Sequence, residues 1–289
     1  MGKNKLISCI AVVLSFIFIF NILVYADSST VVTLGKNLND EQRKHILELF
    51  GVDEKEAVII EVNNEEEREY LEGVATEAQL GKVTMSSAYV ELLEEGSGIE
   101  VETHNISWVT KEMYQSALVT AGVKDAKVIA AAPFPVSGTG ALTGILKAFE
   151  QATGKKISDE QKKVANEEII RMGELGEKIG KEQAGELIRI VKEKIIETGT
   201  KDPEEIKKIV IDIAGKLDIN LNVDQIQKII KLMEKINSLD LDTKEITHQL
   251  KTIGKKIDKT LKENEEVKSL LQKILDMLKK LITSLFKSK

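Results

Sequence analysis

The stretch from Ala126 to Ser158 divides the sequence into two parts with different patterns. Before it, short β-branched runs alternate with amphipathic segments, as in a domain that mixes strands and helices. After it, the apolar residues recur almost throughout at helical spacing. Eight aromatic residues follow position 26, and seven of them precede residue 154. The sequence therefore predicts an α+β domain over residues 27–153, with an aromatic-containing core, followed by an all-α region.

The first part begins with a short β-branched run at residues 31–34 and a helix that is capped by Asn39 and ends at Gly51. Four strands and two helices are expected after them. The apolar runs that predict strands cover residues 57–62, 86–93, 99–104 and 126–132. The capped segments that predict helices cover residues 65–71 and 110–121. Glycines between the second and third strands permit a hairpin turn. The resulting order is that of a split βαβ, ferredoxin-like unit, so we expect an antiparallel sheet with helices on one face.

The first 26 residues predict a secretory signal peptide. Lys3 and Lys5 precede an uncharged run from Leu6 to Val24, and cleavage is expected after Ala26. The alternative is an uncleaved membrane anchor, because an uncharged run of nineteen residues approaches the length that spans a bilayer. The one cysteine of the chain lies inside this leader, so cleavage would leave no disulfide and no thiol. We expect a protein that is secreted or attached to the cell surface.

The charge balance argues against nucleic acid as a partner. Without the two lysines of the leader, the chain has 39 basic and 47 acidic residues, a net charge of −8 with histidine neutral. Non-specific affinity for nucleic acid comes mainly from basic residues that neutralise phosphates. We therefore expect no nucleic-acid partner.

A glycine-containing loop is the most suggestive candidate for a ligand site. Gly138-x-Gly140-x-x-x-Gly144 follows a predicted strand and opens a predicted helix, a position in which backbone N–H groups can hold an anion. Thr143 stands where the dinucleotide fingerprint has its third glycine, and the lysine of a phosphate loop is missing. Three interpretations stay open: a rigid joint packed closely through its glycines, an anion or peptide site, and a nucleotide site. The residues expected to bind a ligand are Phe134, Ser137, Gly138, Thr139 and Gly140.

Capped helices follow one another in the second part, and they predict a helical domain over residues 154–240. A capping side chain lies three residues before a glutamate or glutamine in four pairs: Ser158 with Gln161, Asp202 with Glu205, Asn222 with Gln225, and Asp242 with Glu245. Glycine is a poor helix former, so breaks or kinks are expected at Gly173, Gly176, Gly180 and Gly185.

The last segment, residues 241–289, has a heptad pattern and a basic end. From Ile246 to Leu285 the seam residues step alternately by four and three, with two polar interruptions, which predicts a coiled coil or long bundle helix and would allow a homo-oligomer. Residues 267–289 contain six lysines and one aspartate. Such a helix could bind an anionic membrane or a cell-wall polymer, or it could pack into a bundle with its lysines solvated. The residues expected at such a surface are Lys279, Lys280, Phe286 and Lys287.

No motif identifies a reaction, a metal or a cofactor. His45, His104 and His248 lack partners at metal-binding spacing, and no G-x-S-x-G elbow is present. Asp218-x-Asn220-x-Asn222 begins like a calcium loop but lacks its glycine and its closing glutamate. We therefore expect a binding or structural protein without metal or cofactor. The alternative is a hydrolase that acts on envelope polymers through carboxylates that the sequence does not identify.

Several short motifs together resemble a known family. They are Val32-Thr33-Leu34-Gly35, Tyr114-Gln115-Ser116-Ala117-Leu118, Ala131-Ala132-Pro133, and the run from Val136 to Gly144. This combination resembles the secreted bacterial proteins of the domain-of-unknown-function family numbered 1002, over most of the chain and most specifically in its first half. The resemblance implies export, and it brings no catalytic residues.

Overall fold

A mixed β-sheet lies in the first half of the chain. The computed structural model describes residues 30–55 and 57–263, and within them the sheet has the strand order β2-β1-β3-β5-β4. The strands are β1 (Thr30–Gly35), β2 (Val58–Val62), β3 (Ser87–Leu92), β4 (Ile99–Ile106) and β5 (Ala126–Val136). β1 pairs parallel with β2, and β4 pairs parallel with β5. β3 is antiparallel to both of its neighbours, β1 and β5.

The α+β class is confirmed, but the antiparallel ferredoxin-like sheet is wrong. β3 and β4 do not form the predicted hairpin, because β5 lies between them. Val128, Ala130 and Ala131 of β5 are buried although they belong to opposite faces of the sheet. A strand that is apolar on both faces favours a central position. β4 begins with alternating buried and exposed residues and takes the edge.

Helices connect and cover the strands. Within the described residues they are α1 (Asp40–Phe50), α2 (Asn64–Leu71), α3 (Glu77–Leu80), α4 (Lys111–Thr120), α5 (Thr139–Thr153), α6 (Asp159–Ile179), α7 (Lys181–Thr198), α8 (Pro203–Lys216), α9 (Val223–Ser238) and α10 (Thr243–Glu263). The predicted caps are confirmed: Ser158 and Asn222 form reciprocal capping boxes, and Asp202 and Asp242 accept backbone N–H groups of the first turn. None of the described helices combines the length and apolar character that a membrane crossing requires.

Both faces of the sheet are covered, not one face as predicted. Successive residues of a strand point to opposite faces, so Val31 and Val32 enter different clusters. Val32 packs with Ile46 and Phe50 of α1. Val31 faces the larger cluster, which includes α4 and α5.

This larger cluster continues from the sheet into the second half of the chain. It joins Val128 of β5 to Leu142 of α5 and to Ile188 of α7. Ile246, Leu250 and Ile253, three of the predicted heptad positions, are buried in it from α10. The later heptads lie outside the described residues, so the coiled coil stays a prediction.

Of the four glycines at which breaks or kinks are predicted, one coincides with a helix break; the other three lie within helices, and kinks there stay a prediction. α6 passes through Gly173 and Gly176, and α7 passes through Gly185, whereas Gly180 separates the two helices. Gly173 is required for a close approach, because a Cβ atom there would lie 2.1 Å from Cζ2 of Trp108. The indole N–H of Trp108 donates to Glu177 Oε1 at 3.0 Å. These contacts fasten the segment after β4 to α6.

Candidate functional site

The predicted ligand loop connects β5 to α5 through Ser137 and Gly138, and we name this connection the joint. Gly138 has φ +95, in the left-handed region, and a Cβ atom there would lie 2.4 Å from Cγ2 of Ile106. The hydroxyl of Tyr114 donates to the carbonyl of Gly138 at 2.5 Å. Tyr114 is buried, and this desolvation raises the pKa of its hydroxyl. Close packing against Ile106 and a buried hydrogen bond from Tyr114 therefore fix the backbone of the loop, which is the geometry of a rigid joint.

A buried carboxyl group lies directly under this joint. Glu67 of α2 is 2% exposed, and its Oε1 accepts from the hydroxyl of Thr139 at 2.7 Å. Its Oε2 accepts from Asn64 at 3.4 Å. Burial raises the pKa of Glu67 to about 7, although these hydrogen bonds and the charge of Arg68 act in the opposite direction. Tyr114 is the other titratable group that interacts with this carboxyl group.

Protonation of Glu67 would satisfy more hydrogen bonds than ionisation. The hydroxyl oxygen of Thr139 lies 3.2 Å from the carbonyl of Gln79, besides its contact with Glu67. A hydroxyl has one proton, so it can donate to only one of these two acceptors. If Glu67 is protonated, it donates to Thr139, and Thr139 is then free to donate to Gln79. The cluster is therefore complete in its neutral form.

The remaining residues of the predicted loop differ in exposure. Gly140 lies against Glu67, and Gly144 lies against Thr33, both closer than a Cβ atom would allow. Ser137 donates to the carbonyl of Gln79 at 3.4 Å, whereas Phe134 is 45% exposed. The interpretation of a helix packed closely through its glycines therefore describes α5, and a ligand at this loop stays a prediction.

A large groove lies elsewhere, beside the edge strand β4, and we name it the β4 groove. Its volume is about 780 Å³, and it is enclosed by β4, α4, α7, the turn after α8, and α10. The floor is apolar and consists of Ile99, Val101, Leu217, Ile219, Ile253 and Ile257. The rim is charged and consists of Glu100, Glu102, Lys111, Glu112, Glu182, Glu186, Arg189 and Lys256. Ligand sites typically have volumes of about 300–1,000 Å³ with apolar walls and a few polar groups.

The rim of the β4 groove is predominantly acidic. Five glutamates face three basic residues. Arg189 is engaged, because two of its nitrogens donate to Glu186 at 2.7 and 2.8 Å and a third donates to Glu193 at 3.0 Å. Lys256 pairs with Glu100 at 3.0 Å. Lys111 pairs with Glu112 at 3.7 Å, so each basic residue of the rim is matched by one of its glutamates, and two glutamates of the rim remain in excess. The groove is therefore suited to a ligand that has an apolar part and positive charges.

A buried ion pair lies behind the α4 wall of the groove. Lys192 of α7 contacts Glu168 of α6 at 2.7 Å, and the exposed fractions of the two side chains are 1% and 0%. Lys192 also donates to the hydroxyls of Ser116 and Thr120 of α4. Burial lowers the pKa of Lys192, although Glu168 beside it acts in the opposite direction. Every member of this network has a partner, so the ion pair joins three helices without an unsatisfied charge.

The Ser116–Lys192 contact does not form an accessible nucleophile. The Ser116 hydroxyl lies 2.8 Å from Lys192 Nζ and 2.6 Å from Glu168 Oε1. A serine activated by a neighbouring base must also reach its substrate. Ser116 lines the β4 groove but is only 3% exposed, and Lys192 and Glu168 engage its hydroxyl. Its geometry therefore fits a structural hydrogen bond.

The sequence predicted neither Glu67 nor the β4 groove. Glu67 follows two other glutamates at the start of a helix, which is the pattern of a solvated first turn. The alternation of Ile99, Glu100, Val101 and Glu102 was a usable signal, because it indicates one apolar and one polar face. The elements that close the groove over this strand come from distant parts of the chain.

The other sequence-based candidates have simple outcomes. His104 is exposed at the end of β4, and no group of three or more potential metal ligands occurs among the described residues. Asn222 caps α9, as the capping interpretation predicted. Lys279, Lys280, Phe286 and Lys287 lie outside the described residues, as does the leader.

Comparison with known proteins identifies the family. A family model described as "Protein of unknown function (DUF1002)" matches residues 34–253. The "Uncharacterized protein YpuA" of Bacillus subtilis (strain 168) is 41% identical over 266 residues, which cover 91% of each chain. No solved structure matches. The matched region contains the end of β1, strands β2 to β5, the joint and most of the β4 groove, and the chain belongs to the DUF1002 family.

Proposed function

We propose that this chain is a secreted or envelope-associated binding protein whose ligand occupies the β4 groove. The observation that carries the proposal is the groove itself, with a volume of about 780 Å³, an apolar floor and an acidic rim. Its walls come from both halves of the chain, which share one buried core. A groove formed by packed elements is largely preformed, so ordering it on ligand binding costs little free energy.

The chemistry of the groove favours an amphipathic, cationic ligand. Apolar groups of the ligand would cover Ile253 and Ile257, and positive groups would meet the glutamates of the rim. The site at Phe134–Gly140 and the lysines at residues 279–287 remain secondary proposals. The latter would attach the protein to an anionic membrane or cell-wall polymer, and the heptads of residues 241–289 would support a homo-oligomer.

The geometry favours binding over hydrolysis of envelope polymers. A general acid needs a pKa near the working pH and contact with the substrate. Glu67 meets the first condition with a pKa of about 7. It does not meet the second, because it is 2% exposed and its oxygens are occupied by Thr139 and Asn64.

Calorimetric titration with a short peptide tests the proposal. The probe is a capped heptapeptide of alternating lysine and valine, and the matched negative probe has glutamate in place of lysine. We expect the full chain to bind the lysine peptide at least tenfold more tightly than the glutamate peptide at low salt, because the rim is acidic. Equal affinities, or no binding of either peptide, would refute the proposal.

Two glycine variants locate the binding site. Gly185 lines the groove inside α7, and the nearest atom to an added Cβ there is Glu112 Cβ at 3.8 Å, an ordinary contact, so we expect the side chain of Gly185→Leu to extend into the groove. Gly215 is also helical, lies outside the groove lining, and has no atom within 4 Å of an added Cβ. We expect Gly185→Leu to weaken peptide binding at least tenfold and Gly215→Leu to leave it unchanged. Far-UV circular dichroism would verify that both variants are folded.

A further inference from the structure

We propose that the β4 groove takes its ligand as an added β-strand. The ligand class is an extended peptide with apolar side chains on one face and basic side chains on the other, and its backbone pairs with the open edge of β4. This inference rests on the proposed function, because it specifies the kind of ligand that the groove holds. Strand addition to a sheet edge is a recurring mode of peptide recognition, in which backbone hydrogen bonds give affinity and alternate side chains give specificity.

The backbone of β4 has one paired and one outward side. β4 stands last in the strand order and pairs with β5 alone among the described strands. The amide of Ala126 donates to the carbonyl of Gly98 at 3.1 Å, and Ile99 is the register partner of Ala126. In a parallel ladder only alternate residues address the partner strand. The backbone N–H and C=O groups of the even-numbered residues of β4 therefore point toward β5. Those of Ile99, Val101 and Thr103 point away from β5, toward the open edge.

One side-chain contact agrees with this assignment. The amide of Gln115 donates to the carbonyl of Ile99 at 3.1 Å, so this carbonyl points away from β5. The next outward residues, Val101 and Thr103, have no hydrogen bond to another backbone group within residues 30–55 and 57–263. The carbonyl oxygen of Ile99 has two lone pairs, so it can accept a backbone N–H of a bound peptide besides the side-chain amide of Gln115. The outward side of β4 thus has the polarity that an added strand requires.

The groove runs along this edge. Ile99, Glu100, Val101 and Glu102 are consecutive, and all four line it. Consecutive side chains of a strand point to opposite faces of the sheet. A cavity on one face would therefore contact only every second residue, whereas a cavity along the edge contacts them all. A peptide in the β4 groove consequently lies beside the backbone of β4.

The two faces of β4 determine the two faces of the peptide. Ile99 and Val101 point into the larger cluster, which includes α4, and Ile253 and Ile257 of α10 extend the apolar floor. Glu100 and Glu102 point to the opposite face, where cross-strand neighbours of opposite charge are favourable. The added strand should carry apolar residues toward the helices and lysine or arginine on the face that it shares with the two glutamates.

An exposed ion pair connects two sides of the β4 groove, and it must separate when a peptide binds. Lys256 of α10 contacts Glu100 at 3.0 Å, and the two side chains are 47% and 54% exposed. Glu102 pairs loosely with Lys127 of β5 at 3.9 Å. Solvent-exposed ion pairs are weak interactions. A basic side chain of the peptide can therefore replace Lys256 as the partner of Glu100 at little cost.

N-methylation of the peptide backbone tests strand addition while leaving the side chains in place. The probes are the alternating lysine–valine heptapeptide and two derivatives, N-methylated at every valine or at every lysine. Only one set of amides can face β4, because alternate residues of a strand point to opposite edges. We expect one derivative to bind the full chain at least tenfold more weakly than the parent peptide and the other to stay within about twofold.

The derivative that binds more weakly also shows whether the added strand runs parallel or antiparallel to β4. Ile99 and Val101 face the helices and direct their backbone groups outward, so an antiparallel strand would direct the amides of its helix-facing valines toward β4. A parallel strand would direct the amides of its lysines instead. Protection of the β4 amides in hydrogen exchange should rise with the parent peptide and should not rise with the sensitive derivative.

The outcomes separate this inference from the proposed function. If neither derivative differs from the parent, or if both are weakened equally, while Gly185→Leu still blocks binding, then the groove binds its ligand but strand addition is overturned. If the lysine peptide does not bind at all, both proposals fail. A tenfold difference between the two derivatives that disappears in Gly185→Leu supports strand addition in the groove.

Discussion

Glu67→Gln should remove a pH dependence from the folding stability of this protein. Burial raises the pKa of Glu67 to about 7 in the folded chain, from an ordinary value of 4.5. The folded state therefore binds this proton more tightly than the unfolded chain does. The resulting stabilisation is complete below pH 4.5 and is lost as the pH rises through about 7.

The magnitude follows from the two pKa values. One pKa unit corresponds to about 1.4 kcal/mol, so the difference between 4.5 and about 7 corresponds to about 3 kcal/mol of unfolding free energy. The side chain is 2% exposed, so solvent screening reduces this value little. Glutamine imitates the protonated carboxyl, because its amide can donate to Thr139 and leave the Thr139 hydroxyl for Gln79. The variant should equal the wild type near pH 4.5 and exceed its stability by about 3 kcal/mol well above pH 7.

Urea denaturation followed by far-UV circular dichroism, repeated at several pH values between about 4.5 and 9, measures this difference. Glu65→Gln is the matched control, because Glu65 is an exposed carboxylate on the same helix. The control should follow the wild-type curve at every pH. Parallel curves for the wild type and Glu67→Gln across the whole range would refute the assignment of the titrating group to the joint.

The buried ion pair and the helix glycines give further predictions for chemical denaturation. Lys192→Met should lower the unfolding free energy by about 3–5 kcal/mol, because it leaves Glu168 charged and buried; adding Glu168→Leu should recover at least half of the loss. A double variant no more stable than the single one would contradict this. Gly173→Ala should cost about 1–3 kcal/mol, because the new methyl group meets Trp108, whereas Gly215→Ala, in open space, should stabilise by about 0.5–1 kcal/mol. Equal effects of the two alanines would contradict the close contact at Gly173.

Local features of the fold could be predicted from the sequence. Ser158 and Asn222 cap their helices through residues three positions away, so the signal and the interaction lie in the same short segment. The close packing of α5 through Gly140 and Gly144 was also visible, because glycine in a helix suggests a nearby backbone or side chain. Such features depend on neighbours along the chain.

Strand order and the buried carboxyl group depend on distant contacts. β5 separates β3 from β4, although the turn residues between them suit a hairpin. The difference comes from burial of β5 on both faces, which needs α1 on one side and α4 on the other. Glu67 lies in a buried position where the hydroxyl of Thr139, 72 residues later in the chain, donates to its carboxyl group. The β4 groove likewise combines residues from 99 to 257, so no local pattern could reveal its shape.

Trp108 provides an optical probe at one defined place in the molecule. It is the single tryptophan of the chain, and its indole ring lies against Gly173 while its N–H donates to Glu177. The ring therefore senses the contact between the segment after β4 and α6. An event that separates these two parts would move the indole into water and shift its emission to longer wavelength. The intrinsic fluorescence of the unlabelled protein thus reports whether the sheet-bearing half remains docked on its helices.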